Sequence, residues 1–198
     1  MPSNSTPARP LRPAVFLDRD GTINVEVNYL RSPDELRLIE GAAESIQQLR
    51  AAGFLVIVIT NQSGIARGYF THETLDAIHR RLCEQLAAHG AAVDAIYVCT
   101  HHPDDHCDCR KPGSGLYLQA AREHGIDLGR SLMIGDKDTD LLAAKQLHMP
   151  SVLVKTGFGL QQVAAVAHWT DYQPVYIADD LRAATGWVLS HFSADSRG

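Results

Sequence analysis

The sequence is poor in the features that mark several large classes of protein. It has four cysteines in 198 residues, too few for a secreted scaffold held together by disulfides. No apolar run is long enough to span a bilayer, so no transmembrane helix is predicted. Basic residues do not exceed acidic ones, and the formal net charge of −5 argues against general binding to nucleic acid. The sequence also contains no internal repeat and no low-complexity segment.

The overall composition is that of a globular domain. Hydrophobic residues make up 45% of the chain and charged residues 21%, and this length can bury the core of one domain. We expect a flexible N-terminal arm over residues 1–13, a single domain over residues 14–192 and a frayed tail over residues 193–198. The arm is rich in Pro, Ser and Arg and lacks the apolar core of a signal peptide. We therefore expect a cytoplasmic protein without a membrane partner, and a monomer.

Short apolar runs alternate with segments of helical periodicity. This alternation is typical of an α/β fold in which helices cover both faces of a doubly wound parallel sheet. No interval is long enough for a separate cap domain. Because ligands bind at the carboxyl ends of the strands in such sheets, the polar stretches after the strands should meet at one edge. The strands are predicted over 14–18, 54–60, 95–99, 131–136, 151–155 and 175–178.

The stretch Ala14–Asn24 is the most informative, since an apolar strand runs directly into Asp18 and Asp20. Because side chains alternate along a strand, we expect these two carboxylates to face one way and Arg19 the other. Two carboxylates this close need a cation or a shared proton, and the hard ion Mg²⁺ suits oxygen ligands. The alternative is an ordinary strand followed by an Asp-Gly turn.

Further carboxylates follow the fourth strand. Asp136 is the expected third magnesium ligand, beside Asp18 and Asp20. We expect Asp140 to orient its neighbours from the first turn of the next helix. Asp138 and Thr139 are interpreted as residues that cap this helix.

These residue types fit the hydrolysis of a phosphate ester, which needs a nucleophile, an acid and positive charge. Asp18 can attack phosphorus to form an aspartyl-phosphate. Asp20 can protonate the leaving oxygen and then deprotonate the attacking water. Thr60 and Lys111 can hold the phosphoryl group, and Arg110 can bind an anion further along the substrate. Considered alone, Thr60 is better explained by a hydrogen bond to its own backbone.

Three of the four cysteines cluster with histidines after the third strand. A tetrahedral site with four protein ligands would be structural, and it would fold the loop that leads to Arg110 and Lys111. A reduced, metal-free loop is the alternative. The spacing favours Zn²⁺ at Cys99, His101, Cys107 and Cys109. The rival ligands are His102, His106, Asp104 and Asp105.

Taken together, DRDGT, the strand-end Thr60, Lys111 and GDKDTD resemble the haloacid dehalogenase superfamily. Three longer segments, FLDRDGTINVEVNYL, VITNQSGIARGYFT and CDCRKPGSGLY, are similar to the D-glycero-D-manno-heptose 1,7-bisphosphate 7-phosphatases. The resemblance covers most of residues 14–157. It implies a haloacid dehalogenase-like, Rossmann-type sheet without a cap domain, and it favours His101 over His102 as zinc ligand.

The resemblance also implies a function. The expected reaction is Mg²⁺-dependent removal of the 7-phosphate of the heptose bisphosphate, in the synthesis of nucleotide-activated heptose for lipopolysaccharide core or surface polysaccharide. The residues that would contact this phosphorylated sugar are Glu26, Val27, Asn28, Tyr29, Thr60, Asn61, Gln62, Ser63, Arg110, Lys111 and Lys137.

Two other functions remain open from the sequence. Histidinol-phosphatases share DRDGT and CDCRKP, and the short zinc loop is like theirs, but the segment NQSGIARG favours the heptose bisphosphate enzymes. A member of a different class, a non-enzymatic zinc-loop binding module, is disfavoured by the acidic charge balance. Phosphoryl transfer to an acceptor other than water is chemically close to hydrolysis and is also compatible with these residues.

Overall fold

The computed structural model describes residues 10–194, which form a six-stranded parallel sheet in the order β3-β2-β1-β4-β5-β6. The strands are β1 (Ala14–Leu17), β2 (Leu55–Asn61), β3 (Ala95–Cys99), β4 (Leu132–Gly135), β5 (Ser151–Val154) and β6 (Tyr176–Ala178). The helices are α1 (Ala42–Ala51), α2 (His72–Ala88), α3 (Gly115–His124), α4 (Asp138–Gln146), α5 (Gly159–Val166) and α6 (Leu181–His191). Three short 3-10 helices lie at Pro33–Glu35, Pro103–Asp105 and Leu128–Arg130.

Both faces of the sheet are buried, as the unbroken apolar runs predict. Alternate residues of β1 contribute to two separate cores. Val15 and Leu17 pack with residues of α1, α2 and α6, including Ile46. Phe16 faces the opposite side, where its ring meets that of Tyr117 edge to face at 5.0 Å. The predicted doubly wound α/β fold is confirmed.

The strand order reverses beside β1. The chain passes from β1 outward through β2 to β3, and then returns to the other side of β1 to form β4. Crevices at such a reversal lie between the loops that leave neighbouring strands, at the carboxyl edge of the sheet. The segments after β1, β2 and β4 therefore converge there.

The predicted strands agree with the structure to within one residue at each end. Thr71 caps α2 by accepting a hydrogen bond from the Thr74 N–H. The sequence analysis missed α5. This helix has only eight residues, and Phe158 precedes it without a side-chain hydrogen bond to its first turn. It therefore lacks the start signal that identifies helices from sequence.

The predicted terminal segments lie largely outside the described residues. Residues 1–9 of the expected arm and residues 195–198 of the expected tail belong to that part. Within residues 10–13, Arg12 is fixed: its N–H donates to the Gly125 carbonyl, and its own carbonyl accepts from the Asp127 N–H. Arg12 is therefore bonded to the domain, and the proposed domain limits stay a prediction. Between residues 10 and 194, no helix combines the length and the apolar character that a membrane crossing requires.

Candidate active site

Three carboxylates meet at the carboxyl edge of the sheet. Asp18 follows β1, Asp136 follows β4, and Asp140 lies in the first turn of α4. All three are buried, and one oxygen of each lies within 4.8 Å of the others. Like charges this close and this buried repel strongly unless cations lie among them.

Lys111 supplies one of these cations from inside the protein. Its Nζ lies 2.8 Å from Asp18 Oδ1 and 2.6 Å from Asp140 Oδ1, and it donates a hydrogen bond of 2.7 Å to the Ile59 carbonyl. Burial opposes its charge, but the carboxylates of Asp140 and Asp18 outweigh burial and raise the pKa of Lys111 above its ordinary value. The ammonium group therefore stays charged although the residue is only 3% exposed.

Asp136 is left with an unused oxygen. Its Oδ2 accepts a hydrogen bond of 2.8 Å from the Phe158 N–H, whereas Oδ1 is buried and has no hydrogen-bond partner among residues 10–194. Burial, and then the nearby Asp18 carboxylate, raise the pKa of Asp136 to about 8. A buried oxygen that accepts no hydrogen bond is rare in native structures, so a ligand of this oxygen, such as a bound cation, would explain it. These oxygen donors fit a hard cation such as Mg²⁺.

The prediction for Asp18, Arg19 and Asp20 is correct only in part. Asp18 and Asp20 line the same small cavity, but Arg19 does not point away from Asp20. Strand β1 ends at Leu17, so the two-residue period stops before the acidic residues begin. Arg19 turns back onto Asp20, and its Nε and Nη2 donate to the two carboxylate oxygens over 3.2 and 2.7 Å. Asp20 thus forms a bidentate ion pair with the residue that was expected to face away from it.

Both oxygens of Asp20 receive further hydrogen bonds. Asn24 donates to Oδ1 over 2.9 Å and Gln62 to Oδ2 over 2.8 Å. Burial alone would raise the pKa of Asp20, but Arg19 and these hydrogen bonds outweigh it and hold the pKa below its ordinary value. The Asp20 carboxylate is thereby kept ionised.

The side-chain oxygens of the three expected magnesium ligands do not all lie together. Asp18, Asp20 and Asp136 were predicted to share the ion, but the carboxylates that lie together are those of Asp18, Asp136 and Asp140. The predicted set of magnesium ligands stays a prediction. Two acidic side chains accept hydrogen bonds from backbone N–H groups at the start of α4. Asp138 Oδ1 accepts from the Thr139 N–H over 2.7 Å, as the capping prediction implies, and Asp140 Oδ2 accepts from the Lys137 N–H over 3.1 Å.

Two glycines allow the backbone to approach Asp136 closely. Gly21 has φ +82° and Gly157 has φ +58°, in the left-handed region that favours glycine. A Cβ atom on either residue would collide with Asp136 Oδ2. Thr156 joins the two loops, because its hydroxyl donates to the Gly21 carbonyl over 2.5 Å. The sequence analysis did not find Gly157.

The buried cluster opens into a cleft of about 390 Å³. Thr60 and Lys111 lie deeper, in a smaller cavity with Asp18 and Asp20. The other predicted substrate contacts line the cleft itself: Glu26, Val27, Asn28, Tyr29, Asn61, Gln62, Ser63, Arg110 and Lys137.

Two of these cleft residues already bind other parts of the site. The Asn61 side chain accepts from the Lys111 N–H and donates to the Lys111 carbonyl, both over 3.1 Å. Gln62 donates to Thr60 Oγ1 as well as to Asp20. Their amide groups therefore hold the reactive side chains in place, a role that the sequence analysis did not assign.

The two cationic side chains that line the cleft, Lys137 and Arg110, differ in their contacts with other residues. Lys137 Nζ lies 3.2 Å from Glu26 Oε2 and 4.8 Å from the centre of the Phe158 ring. In contrast, Arg110 Nη1 is buried and has no hydrogen-bond partner among the described residues. Arg67 is exposed and does not line the cleft. Arg110 is thus the side chain best placed to receive a second anion.

The cysteine cluster forms as the spacing predicts. The three sulfur atoms of Cys99, Cys107 and Cys109 lie 3.2–3.6 Å apart. His101 Nδ1 is 3.1 Å from the Cys109 sulfur, whereas His102 Nδ1 accepts from the Asp104 N–H and caps a 3-10 helix. Four ligands around a tetrahedral Zn²⁺ would place sulfurs about 3.8 Å apart, close to this arrangement. His101 is therefore the histidine of the cluster.

Comparison with known proteins places this geometry in a family. The HAD-hydrolase-like family matches residues 108–184. The chain is 42% identical to the D-glycero-D-manno-heptose-1,7-bisphosphate 7-phosphatase of Thermosynechococcus vestitus, over 92% of this chain and 98% of that protein. The chain belongs to the heptose bisphosphate 7-phosphatase family. The Pseudomonas aeruginosa member of this family is 41% identical, over 90% of this chain and 98% of that protein.

A solved structure within this family has the same fold. It is the D,D-heptose 1,7-bisphosphate phosphatase of B. bronchiseptica, described as a complex with magnesium and phosphate. The TM-score is 0.82 at 38% sequence identity, and the match covers 90% of this chain and 98% of that chain. The resemblance inferred from the sequence motifs is confirmed.

A matched pair of glycine substitutions tests the packing around Asp136. We expect Gly157→Ala to destabilise the protein by at least about 1–2 kcal/mol, since the left-handed backbone is strained for alanine and the new methyl group displaces Asp136. Gly186→Ala is the control, because a Cβ there meets nothing within 4 Å and alanine suits the interior of α6. Thermal unfolding should show a loss for the first variant and no loss for the second. Equal effects would contradict the proposed close approach.

Proposed function

We propose that the protein is a Mg²⁺-dependent phosphatase that removes the 7-phosphate of D-glycero-D-manno-heptose 1,7-bisphosphate through an aspartyl-phosphate on Asp18. The observation that carries this proposal is the buried group of Asp18, Lys111 and Asp136, in which one Asp136 oxygen has no partner. The family relationship supports both the reaction class and the substrate.

Asp18 is the proposed nucleophile. Lys111 lies against it and offsets the negative charge that gathers when a carboxylate attacks a phosphate ester. Thr60 Oγ1, fixed by Gln62, offers a hydrogen bond to a phosphoryl oxygen in the same cavity. Mg²⁺, bound by Asp18 and Asp136, would supply further positive charge for the phosphoryl oxygens. The magnesium in the related B. bronchiseptica structure supports this choice of metal.

Asp20 is the proposed acid and base. In the first step, protonated Asp20 gives its proton to the sugar oxygen as the bond between that oxygen and phosphorus breaks. In the second step, ionised Asp20 takes a proton from the water that attacks the aspartyl-phosphate, and phosphate leaves with the Asp18 carboxylate restored. Each turnover therefore returns Asp20 to its starting state. Its hydrogen bonds in this structure stabilise the ionised form, which acts as the base in the second step. The negative charge of a bound phosphate ester raises the pKa of Asp20 and so favours the protonated form that the first step needs.

Arg110 is the proposed contact for the second phosphate. Its unpaired Nη1 lies in the wall of the cleft, and its guanidinium can bind a phosphate with two hydrogen bonds. Glu26 and Lys137 line the same cleft and offer an acceptor and a donor to the sugar. A substrate with one phosphate and a positively charged amine, such as histidinol phosphate, would leave Arg110 without its anion.

The alternatives from the sequence receive less support. The named relatives are heptose bisphosphate phosphatases, and they give the histidinol-phosphatase alternative no support. A non-enzymatic zinc-loop module would not require the buried group of Asp18, Lys111 and Asp136 at the head of the cleft.

Zn²⁺ is proposed as a structural ion at Cys99, His101, Cys107 and Cys109. Burial, and then the neighbouring sulfur groups, raise the pKa of Cys109 to about 12, so a bare cluster of thiolates is unfavourable. A cation would stabilise all three sulfurs as thiolates. Arg110 and Lys111 follow Cys109 directly in the chain. A zinc ion that orders the cysteine loop would therefore also fix the positions of these two cationic residues.

Substitution of the two carboxylates tests the covalent mechanism. Asp18→Asn should abolish turnover, because the amide cannot attack phosphorus, while far-UV circular dichroism stays native. Asp20→Asn should lower turnover by about 10²–10⁴-fold. Steady-state kinetics measures both effects. Near-normal turnover of Asp18→Asn would rule out the aspartyl-phosphate.

A pair of arginine substitutions tests the proposed contact with the second phosphate. Arg110→Ala should lower kcat/KM for the heptose bisphosphate by about 10²-fold or more, and much less for p-nitrophenyl phosphate, which has no second phosphate. Arg67→Ala makes the same change of charge outside the cleft and should leave both rates unchanged. An equal loss for both substrates in Arg110→Ala would exclude this role. Faster hydrolysis of histidinol phosphate than of the heptose bisphosphate by the unaltered enzyme would overturn the substrate assignment.

Elemental analysis tests the zinc site. Protein purified without chelators should carry about one zinc per chain after dialysis. Cys107→Ser should lose this zinc, while Cys83→Ser, on an exposed part of α2, should retain it. The zinc site would be disproved if the unaltered protein contained none, or if both variants lost it equally.

A further inference from the structure

The side chain that holds Asp20 is itself held from a helix outside the cleft. Arg19 has no exposed surface, and its Nε and Nη2 are used by the Asp20 carboxylate. Its remaining terminal nitrogen, Nη1, lies 3.0 Å from Nε2 of His79 on α2.

The chemistry of this contact fixes its direction. An arginine guanidinium only donates hydrogen bonds, so His79 Nε2 must accept, and the imidazole must be neutral with its proton on Nδ1. Burial, and then the positive charge of Arg19, lower the pKa of His79 to about 4, in agreement with a neutral ring. Ile78, the preceding residue, is fully buried in the core, so the backbone that carries His79 is anchored.

This bond constrains more than Arg19. A guanidinium group is planar, and its bidentate pairing with a carboxylate tends to bring the two groups into one plane. His79 Nε2 has a single lone pair, which points at Arg19 Nη1. This directed hydrogen bond restricts rotation of the guanidinium group, and therefore also rotation of the Asp20 carboxylate that is paired with it. A backbone carbonyl would satisfy Nη1 with a broader range of angles.

We propose that His79 is a positioning residue for the phosphatase reaction, which acts through Arg19 to hold the Asp20 carboxylate in the orientation needed for proton transfer. The inference rests on the proposed role of Asp20 as acid and base. It adds to the site a residue on α2 that does not line the cleft.

Comparing the heptose bisphosphate with p-nitrophenyl phosphate distinguishes a variant that misplaces Asp20 from one that only destabilises the fold. The alkoxide of the heptose bisphosphate needs a proton as it leaves, whereas p-nitrophenolate leaves without one. The constant kcat/KM reports steps only up to formation of the aspartyl-phosphate, so for p-nitrophenyl phosphate it does not depend on the acid. A variant that merely lowers the folded fraction reduces both constants equally. A variant that misplaces Asp20 reduces only the constant for the bisphosphate.

The experiment compares His79→Leu, which lacks an acceptor, with His79→Gln, whose amide oxygen can replace Nε2. Asp20→Asn gives the full effect of losing the acid, and His72→Leu is the control on an exposed position of the same helix. We expect His79→Leu to lower kcat/KM for the bisphosphate by about tenfold and to leave p-nitrophenyl phosphate unchanged. His79→Gln should recover most of the loss, and His72→Leu should have no effect.

Two results would overturn the inference in distinguishable ways. If Asp20→Asn is selective for the bisphosphate but His79→Leu is not, the positioning role is wrong and the proposed function stands. If Asp20→Asn itself affects both substrates equally, the acid role fails and the inference fails with it. Should His79→Leu not fold, His79→Asn takes its place, because its shorter amide does not reach Nη1. Equal loss on both substrates in that variant would also overturn the positioning role.

Discussion

The ion pairs of Lys111 with Asp18 and Asp140 are the interactions on which the rest of the site depends. Three carboxylates are buried within a few ångströms of each other, and a buried lysine lies between two of them. Their negative charge exceeds what one ammonium can offset, and Asp136 keeps an oxygen without a donor. The excess negative charge is relieved either by a proton on Asp136, whose pKa is raised to about 8, or by a divalent cation bound among these oxygens.

The fold brings these charges together from distant parts of the chain. Asp18 and Asp136 follow neighbouring strands on either side of the reversal in strand order. Lys111 comes from the loop after β3, and Asn61 at the end of β2 holds its backbone through two hydrogen bonds. The cysteine cluster folds the start of the same loop. The catalytic arrangement thus depends on one edge of the sheet and on one ordered loop beside it.

Much of this could be predicted because it follows from local patterns. The apolar runs located the strands, and the carboxylates after β1 and β4 identified the reactive edge. The cysteine spacing located the cluster of Cys99, His101, Cys107 and Cys109. The ion pair between Arg19 and Asp20 could not be predicted, because alternation ends with β1 at Leu17 and Arg19 then folds back. His79 could not be found either, since sixty residues separate it from Arg19 and only the packing of α2 against the sheet joins them.

The most direct test of this account is calorimetric titration of Mg²⁺ into the unaltered protein and into Asp136→Asn and Asp20→Asn. We predict that the unaltered protein binds a single Mg²⁺ and that Asp136→Asn loses this binding, because it removes an oxygen that has no other partner. Asp20→Asn should keep it, since Arg19, Asn24 and Gln62 already occupy both oxygens of that carboxylate. Retained binding in Asp136→Asn together with lost binding in Asp20→Asn would contradict the account.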